Sequence, residues 1–294
     1  MYYVVYGLLY GMSLLPMRVL YLLSDVLALL LYYVIRYRRN IVMGNLLTAF
    51  PEKTQEERIR IAKKFYRNFV DNFIETLKLL SASPSFIRKH FVIDNPEVLE
   101  NFYRSGRKCQ LHLGHTFNWE MANAAMPLLT SYTFIVVYMP VENKIFDRLF
   151  LHLRSRTGTV LLPATNMQRA IIPYRNTQYM LTLVADQTPG SLNNAYWLNF
   201  FDRPTAFVRG PERGARIGDI PAVFVRFYKP RRGYYRVHLT MGSDHPAQLP
   251  KGELTLRYAK FLEDAIRMSP DLWLWSHKRW KGQWREEYQK LWVA

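Results

Sequence analysis

Two apolar runs open the chain. Residues 1–35 carry only two charges, Arg18 and Asp25. Met1–Leu15 is interrupted by Gly7 and Gly11, and Pro16 separates it from Val19–Ile35, in which Asp25 is the one charge. A helix that crosses a bilayer needs about 20 apolar residues, so the second run sits at the short edge of that length. Tyr2, Tyr3, Tyr6, Tyr10, Tyr21, Tyr32 and Tyr33 bring amphipathic rings suited to a headgroup layer. A cleaved signal peptide fits poorly, because there is no basic leading region and no clear small-residue cleavage site. Arg36, Arg38 and Arg39 follow the second run at once, and the positive-inside rule places the residues after 36 in the cytoplasm. The pattern predicts a membrane-anchoring helical segment over 1–40, spanning the bilayer or lying in its interface. The alternative is a buried hairpin of two core helices.

Residues 41–294 read as one folded domain. Thr54 and Glu57 form the S/T-x-x-E signature of a helix start. Ile61, Phe65, Phe69, Phe73 and Leu77 then recur every fourth position, which predicts a long amphipathic helix over 54–80. Lys63, Lys64, Arg67 and Lys78 fall on its wet or headgroup-facing side. From about residue 106 short apolar strands alternate with helices. Strands are expected at Cys109–Leu113, Tyr132–Met139, Thr159–Leu162, Tyr179–Ala185, Tyr196–Phe201, Ala222–Tyr228 and Tyr234–Met241. Helices are expected at Trp119–Leu129, Asn143–Arg156, Asn166–Ile172, near 210–217, at Leu254–Met268 and over about 276–292. Such alternation argues for an α/β domain with a largely parallel central sheet flanked by helices.

Composition narrows the function classes. Of 294 residues 49% are apolar and 21% charged, which excludes a disordered chain. Lys and Arg number 40 against 23 Asp and Glu, a net charge of +17, so an anionic partner is favoured. The single cysteine, Cys109, excludes an intrachain disulfide framework and a zinc site built on several thiolates; in an apolar strand it reads as an inert core thiol. No P-loop, dinucleotide-binding or G-x-S-x-G motif occurs, so no cofactor and no elbow serine are expected.

The chemistry concentrates in Leu111–Glu120 (LHLGHTFNWE). An apolar strand ends at Gly114 and a helix starts near Asn118, a good N-cap residue. His115 therefore sits at the carboxyl end of a strand, where open α/β sheets place ligand sites. On a continuous helix His115 and Glu120 would point about 140° apart. They meet only if the chain bends between them, as a strand–turn–helix allows. A carboxylate against one imidazole nitrogen fixes the tautomer and raises the basicity of the other, which makes a general base for an alcohol. Asp186 ends another strand and is a second carboxylate candidate, or a turn former. His112 raises a metal pair with His115, but no third ligand is evident and a buried strand histidine is the plainer reading.

The H-x-x-x-x-E motif ahead of a helix resembles that of the late acyltransferases of lipid A biosynthesis, a family that includes mycobacterial phosphatidylinositol mannoside acyltransferases. The wider H-x-x-x-x-D group includes glycerol-phosphate acyltransferases, whose fold the resemblance implies here. Further segments resemble the family in order along the chain: Arg154–Gly158, Ala185-Asp186-Gln187, Phe200–Pro204, the Gly210-Pro211 turn and Pro270–Lys281. Phe117 departs from it, standing where glycine is commonest, and a bulky side chain there is expected to narrow or reshape the acceptor entrance.

What the resemblance implies is acyl transfer without a covalent acyl-enzyme. The donor is an acyl thioester on acyl carrier protein, and the acceptor an anionic glycolipid, a lipid A precursor. His115 deprotonates the acceptor hydroxyl and Glu120 orients the ring, with Asp186 as the further catalytic candidate. Arg154 is the candidate for holding an oxyanion or a phosphate. Asn118, Gln187 and Arg203 complete the substrate-binding candidates, Asn118 serving either as cap or as site residue. Residues 41–294 are then the catalytic domain, on the cytoplasmic side of the inner membrane. The tail carries Trp273, Trp275, Trp280, Trp284 and Trp292 among basic residues, which reads as a membrane-surface grip or as core packing. Another membrane glycolipid, phospholipid or aminolipid as acceptor fits the same motifs. A nucleic-acid binder is raised only by the charge and lacks an RNA-type aromatic motif; a non-catalytic membrane scaffold is the third class.

Overall fold

Helix geometry at the N-terminal end follows the apolar pattern. The computed structural model, which describes residues 1–294, begins with α1 (Tyr2–Ser13) and α2 (Met17–Leu29), turned at Pro16. A π-type turn, Leu30–Val34, prolongs α2, and Met17–Val34 (18 residues) is by length and composition apolar enough to cross a membrane. Helix α3 (Arg39–Ala49) leads to α4 (Gln55–Lys78). The capping box at the start of α4 is closed: Glu57 N–H donates to the Thr54 hydroxyl at 3.2 Å, and Thr54 N–H to the Glu57 carboxylate at 2.8 Å. Lys63, Lys64 and Arg67 are exposed as expected. Lys78 instead turns inward and donates to the Ser13 and Leu15 carbonyls, tying the end of α4 to the α1–α2 corner.

The chain then runs through α5 (Pro84–His90), β1 (Phe91–Ile93), α6 (Glu97–Arg104), β2 (Cys109–Leu113), α7 (Trp119–Leu129), β3 (Thr133–Tyr138), α8 (Lys144–Ser155), β4 (Val160–Pro163) and the short α9 (Met167–Ala170). It continues with β5 (Tyr179–Val184), β6 (Ala195–Phe200), β7 (Arg203–Val208), α10 (Gly210–Ile217), β8 (Ala222–Arg231), β9 (Tyr234–Ser243) and α11 (Glu253–Met268). Seven strands form one sheet in the order β1-β9-β8-β2-β5-β3-β4. Every neighbouring pair is parallel except the β8–β9 hairpin. The protein is thus α/β with a mostly parallel sheet. The central strand β2 is buried at all five positions, its two polar residues, Gln110 and His112, being hydrogen-bonded to each other. One core layer packs α5, α6 and α7 on one sheet face; a second packs α4, α11 and the tail on the other.

Three elements differ from the sequence reading. The expected strand at 196–201 is β6, but it leaves the main sheet and pairs with β7 in a separate antiparallel hairpin. Residues 166–172 are broken into single turns rather than one helix. The tail over 276–292 is irregular, with a 3₁₀ segment only at Glu286–Leu291. Its tryptophans explain why: Trp273 and Trp275 are buried in the second core and Trp284 and Trp292 pack around Trp197, so the tail is core packing. A straight helix would turn successive Trp side chains away from that core, at 3.6 residues per turn.

Candidate active site

Strand register builds the centre of the site. Strand β2 pairs with β5 in parallel, Leu113 opposite Val184, and Ala185 N–H donates to the Leu113 carbonyl. Two residues beyond each strand end stand His115 and Asp186, so the same register carries them out side by side. The His115 ring Nδ1 lies 2.5 Å from Asp186 Oδ1. The His115 backbone N–H donates to Asp186 Oδ2 at 2.8 Å, and the Trp273 indole N–H donates to the same oxygen at 2.6 Å. Because an ionised carboxylate only accepts, Nδ1 carries the proton and Nε2 is left as the basic nitrogen. Nε2 faces the Gln187 side-chain amide at 3.2 Å.

Gly114 makes this approach possible. A Cβ on it would come within 2.6 Å of Leu262 Cδ1 and 3.1 Å of Asp186 Oδ2. The loop is clamped from the other side by the tail: Phe117 N–H donates to the Leu272 carbonyl and Leu274 N–H to the His115 carbonyl, both at 3.0 Å. Asp186 is buried, while the His115 side chain is 24% exposed. Burial raises the Asp186 pKa, but the His115 ring charge, its two hydrogen bonds and the Trp273 N–H outweigh burial and hold the carboxyl below its usual range.

Glu120 is placed differently from the expected arrangement. It starts α7 and turns from the His115 ring to Arg154 on α8. Arg154 Nε donates to both carboxylate oxygens, at 3.1 and 3.0 Å, and Arg154 Nη2 donates to Oε1 at 2.5 Å. The Trp119 indole N–H adds a fourth hydrogen bond at 3.2 Å. The physical reason is helix direction: after the loop, α7 points the Glu120 side chain toward α8, while the β2–β5 register has already given the ring an acid. The partner of His115 is therefore Asp186, and Glu120 and Arg154 form a second, charge-assisted pair.

Both pairs border one cavity of about 490 Å³, of whose 28 lining residues 21 are hydrophobic. It runs from His115, Gln187, Glu120 and Arg154 between the sheet and α7, past Met126, to Phe91 and Phe227. The walls suit an acyl chain, with the polar groups gathered at one end.

The remaining candidates separate. Gln187 lies at the ring. Asn118 is buried and occupied internally: its carbonyl caps α7 through Met121 N–H at 3.0 Å, and its amide donates to Glu75 on α4 at 2.8 Å. It is a cap and a strut for the loop, away from the cavity walls. Arg203 stands exposed at the start of β7 and does not reach the cavity, because the β6–β7 hairpin turns it outward. Phe117 does not narrow an entrance; it is fully buried against Phe65, Phe69 and Trp119. His112 is a core histidine whose ring meets Gln110, and burial lowers its pKa to about 4. Sequence reasoning named Trp273 only among the tail tryptophans, as membrane grip or core packing, and did not single out Glu75. Trp273 lies within Pro270–Lys281, the segment that carried the resemblance; Glu75 gave no local signal. Asn118→Ala removes the cap and one donor to buried Glu75, so it is expected to lower stability by about 2 kcal/mol, read as a fall in Tm.

A protein of this fold, with an imidazole–carboxylate pair at the polar end of an apolar cavity, belongs among the enzymes that handle acyl chains. The chain is a member of the bacterial lipid A biosynthesis acyltransferase family, whose model matches residues 1–282. It is accordingly an acyltransferase. It is 21% identical over 277 residues to the lipid A biosynthesis palmitoleoyltransferase of Escherichia coli (strain K12), covering 94% of this chain and 89% of that protein. The lipid A biosynthesis acyltransferase of Shigella flexneri is similar to the same degree, 21% over 277 residues with the same coverage.

Proposed function

We propose that this protein moves a fatty acyl chain from acyl carrier protein to a hydroxyl of a lipid A precursor, at the cytoplasmic face of the inner membrane. The observation that supports this most is the His115–Asp186 pair at the polar end of the apolar cavity. The acyl chain of the donor occupies the cavity, with its thioester carbonyl beside His115. The acceptor hydroxyl takes the place of the Gln187 amide at Nε2 and gives up its proton there. Asp186 keeps the ring oriented and stabilises the imidazolium. The alkoxide attacks the thioester carbon, the C–S bond breaks, and the ring returns its proton to the leaving thiolate. No covalent enzyme intermediate is needed.

Arg154 is the second contributor. Nε and Nη2 are held by Glu120, which leaves Nη1 for the carbonyl oxygen as it gains charge or for a phosphate of the acceptor. The net charge of +17 suits two anionic substrates.

The test is transfer from labelled acyl carrier protein to a panel of acceptors, with mass spectrometry of lipid A from cells lacking the protein. The expected results are transfer to the lipid A precursor and loss of one acyl chain from the cellular lipid A. Unchanged lipid A together with acylation of a phospholipid or aminolipid would replace the acceptor.

A further inference from the structure

Helix α2 with its π-type extension, Met17–Val34, is long and apolar enough to cross a bilayer, yet one of its faces is not available to lipid. Leu20, Ser24, Ala28 and Tyr32 recur every fourth residue and are buried. They lie antiparallel along α4, and polar contacts mark the whole seam. The Tyr21 hydroxyl donates to Glu75 at 2.8 Å, and the Ser24 hydroxyl to Asp71 at 2.7 Å. Asp25 pairs with Arg67 at 3.0 Å and with Arg232 at 2.9 Å. At the far end the Tyr32 ring packs edge-on against Tyr66. Asp71 is fully buried and also holds Lys229 and Arg232, so the seam is joined to the β8–β9 hairpin.

This seam conflicts with a spanning helix. Where α2 goes, α4 goes, and α4 carries Lys63, Lys64, Arg67, Asp71 and Glu75 along the same length. Those charges cannot enter hydrocarbon. If α2 crossed alone, it would leave Asp71 and Glu75 short of donors and take Asp25 into the bilayer without its arginines. The outer face of α2 meets no such obstacle. Leu22 is 67% exposed, and Val26 and Leu29 follow on the same side. Helix α1 adds exposed Val4 and Leu8. Arg18, Arg36, Arg38 and Lys63 are exposed around this apolar face, which fits a surface of anionic headgroups.

We propose that α1 and α2 lie flat in a single leaflet, clamped to the catalytic domain along the α2–α4 seam, with the cavity mouth held at the lipid surface. Helix α1 supplies the link to the mouth. The Arg148 guanidinium of α8 lies 4.1 Å from the Tyr2 ring, and the Tyr6 ring packs edge-on against His152. The same α8 gives Phe150 and Arg154 to the cavity, and Met139 on its wall is 67% exposed. A lipid acceptor then reaches His115 without leaving the membrane. This last step rests on the function proposed above; the flat placement of the helices does not.

The experiment uses the full chain with Cys109→Ala and single reporters Leu8→Cys, Leu22→Cys, Val26→Cys and Leu29→Cys, each carrying an environment-sensitive fluorophore. The protein is bound to preformed vesicles of three parts phosphatidylcholine to one part phosphatidylglycerol, with acyl chains brominated near the headgroup or near the chain end. Flat helices predict that shallow bromines quench all four positions more than deep ones do. A depth gradient centred on Val26 overturns the proposal. So does protection of a cysteine added before Met1 from an impermeant maleimide that still labels one added after Ala294, or failure of the wild-type chain to bind. The Leu22→Ser, Val26→Ser double variant is expected to bind vesicles at least about tenfold more weakly, because two outward side chains lose apolar burial. It should still acylate detergent-dispersed acceptor; unaltered vesicle binding overturns the flat placement. Absence of transfer by the wild-type chain to any acceptor, with the quenching pattern intact, would count against the proposed function alone.

Discussion

Replacing His115 by alanine is expected to lower transfer by about 10²–10⁴-fold while the chain stays folded. The ring is partly exposed, and its backbone contacts to Asp186, Leu274 and the loop do not involve the side chain. Asp186→Asn tests the other half of the pair. The amide keeps the shape but no longer offers an anion to the ring, so the correct tautomer and the stabilised imidazolium are lost together, and the rate is expected to fall toward that of His115→Ala. Stability changes with a definite sign. The Asp186 pKa is depressed in the folded protein. Its contribution is therefore fully present above the unfolded value of about 3.9 and disappears as pH falls through the lower folded value. The Tm of the unmodified chain should exceed that of Asp186→Asn at pH 5, and the gap should narrow as the buffer is taken below the unfolded value. A gap that widens on acidification, or an Asp186→Asn variant with full transfer, would remove Asp186 from the mechanism.

How the site assembles explains what could be read in advance. Strand Cys109–Leu113 and the helix near 210–217 are legible, because a mostly apolar stretch is bounded there by loop residues or opens on a Gly-Pro turn. His115 was legible because the strand end and the Asn118 cap fix where it emerges. Asp186 was visible as a carboxylate at a strand end, but its pairing with His115 depends on β2 and β5 being neighbours, across 71 residues of chain. Strand order is set by how helices and strands pack together, and no local periodicity encodes it. Glu120 was nearer in sequence and drew the assignment, although α7 points it at Arg154. The tail was misread for a related reason. Its Trp residues suit a helix pattern, yet its backbone carbonyls are taken by distant side chains: Ser276 by Arg38, His277 by Asn45, and Lys278 and Arg279 by Thr188.

Arg154→Ala is expected to cost about 3 kcal/mol of stability, because it strands a carboxylate that is almost wholly buried. Glu120 accepts three hydrogen bonds from Arg154 and one from Trp119, and its side chain is 3% exposed. Removing the guanidinium leaves that charge facing an apolar cavity. Replacing both residues by methionine should recover most of the stability, since neither charge is then left alone, but it should not recover transfer. Glu120→Gln separates this pair from the His115–Asp186 pair. It keeps the side-chain shape but loosens Arg154, and misplacement of a group by about 1 Å costs up to about 10²-fold in rate. The shape of the pH–rate profile should be unchanged, because the base and its carboxylate are untouched. If Glu120→Gln instead alters the profile, Glu120 moves to the ring during turnover and the two carboxylates share the work of holding it. If Arg154→Ala leaves Tm and rate unaltered, the second pair has no part in either the fold or the reaction.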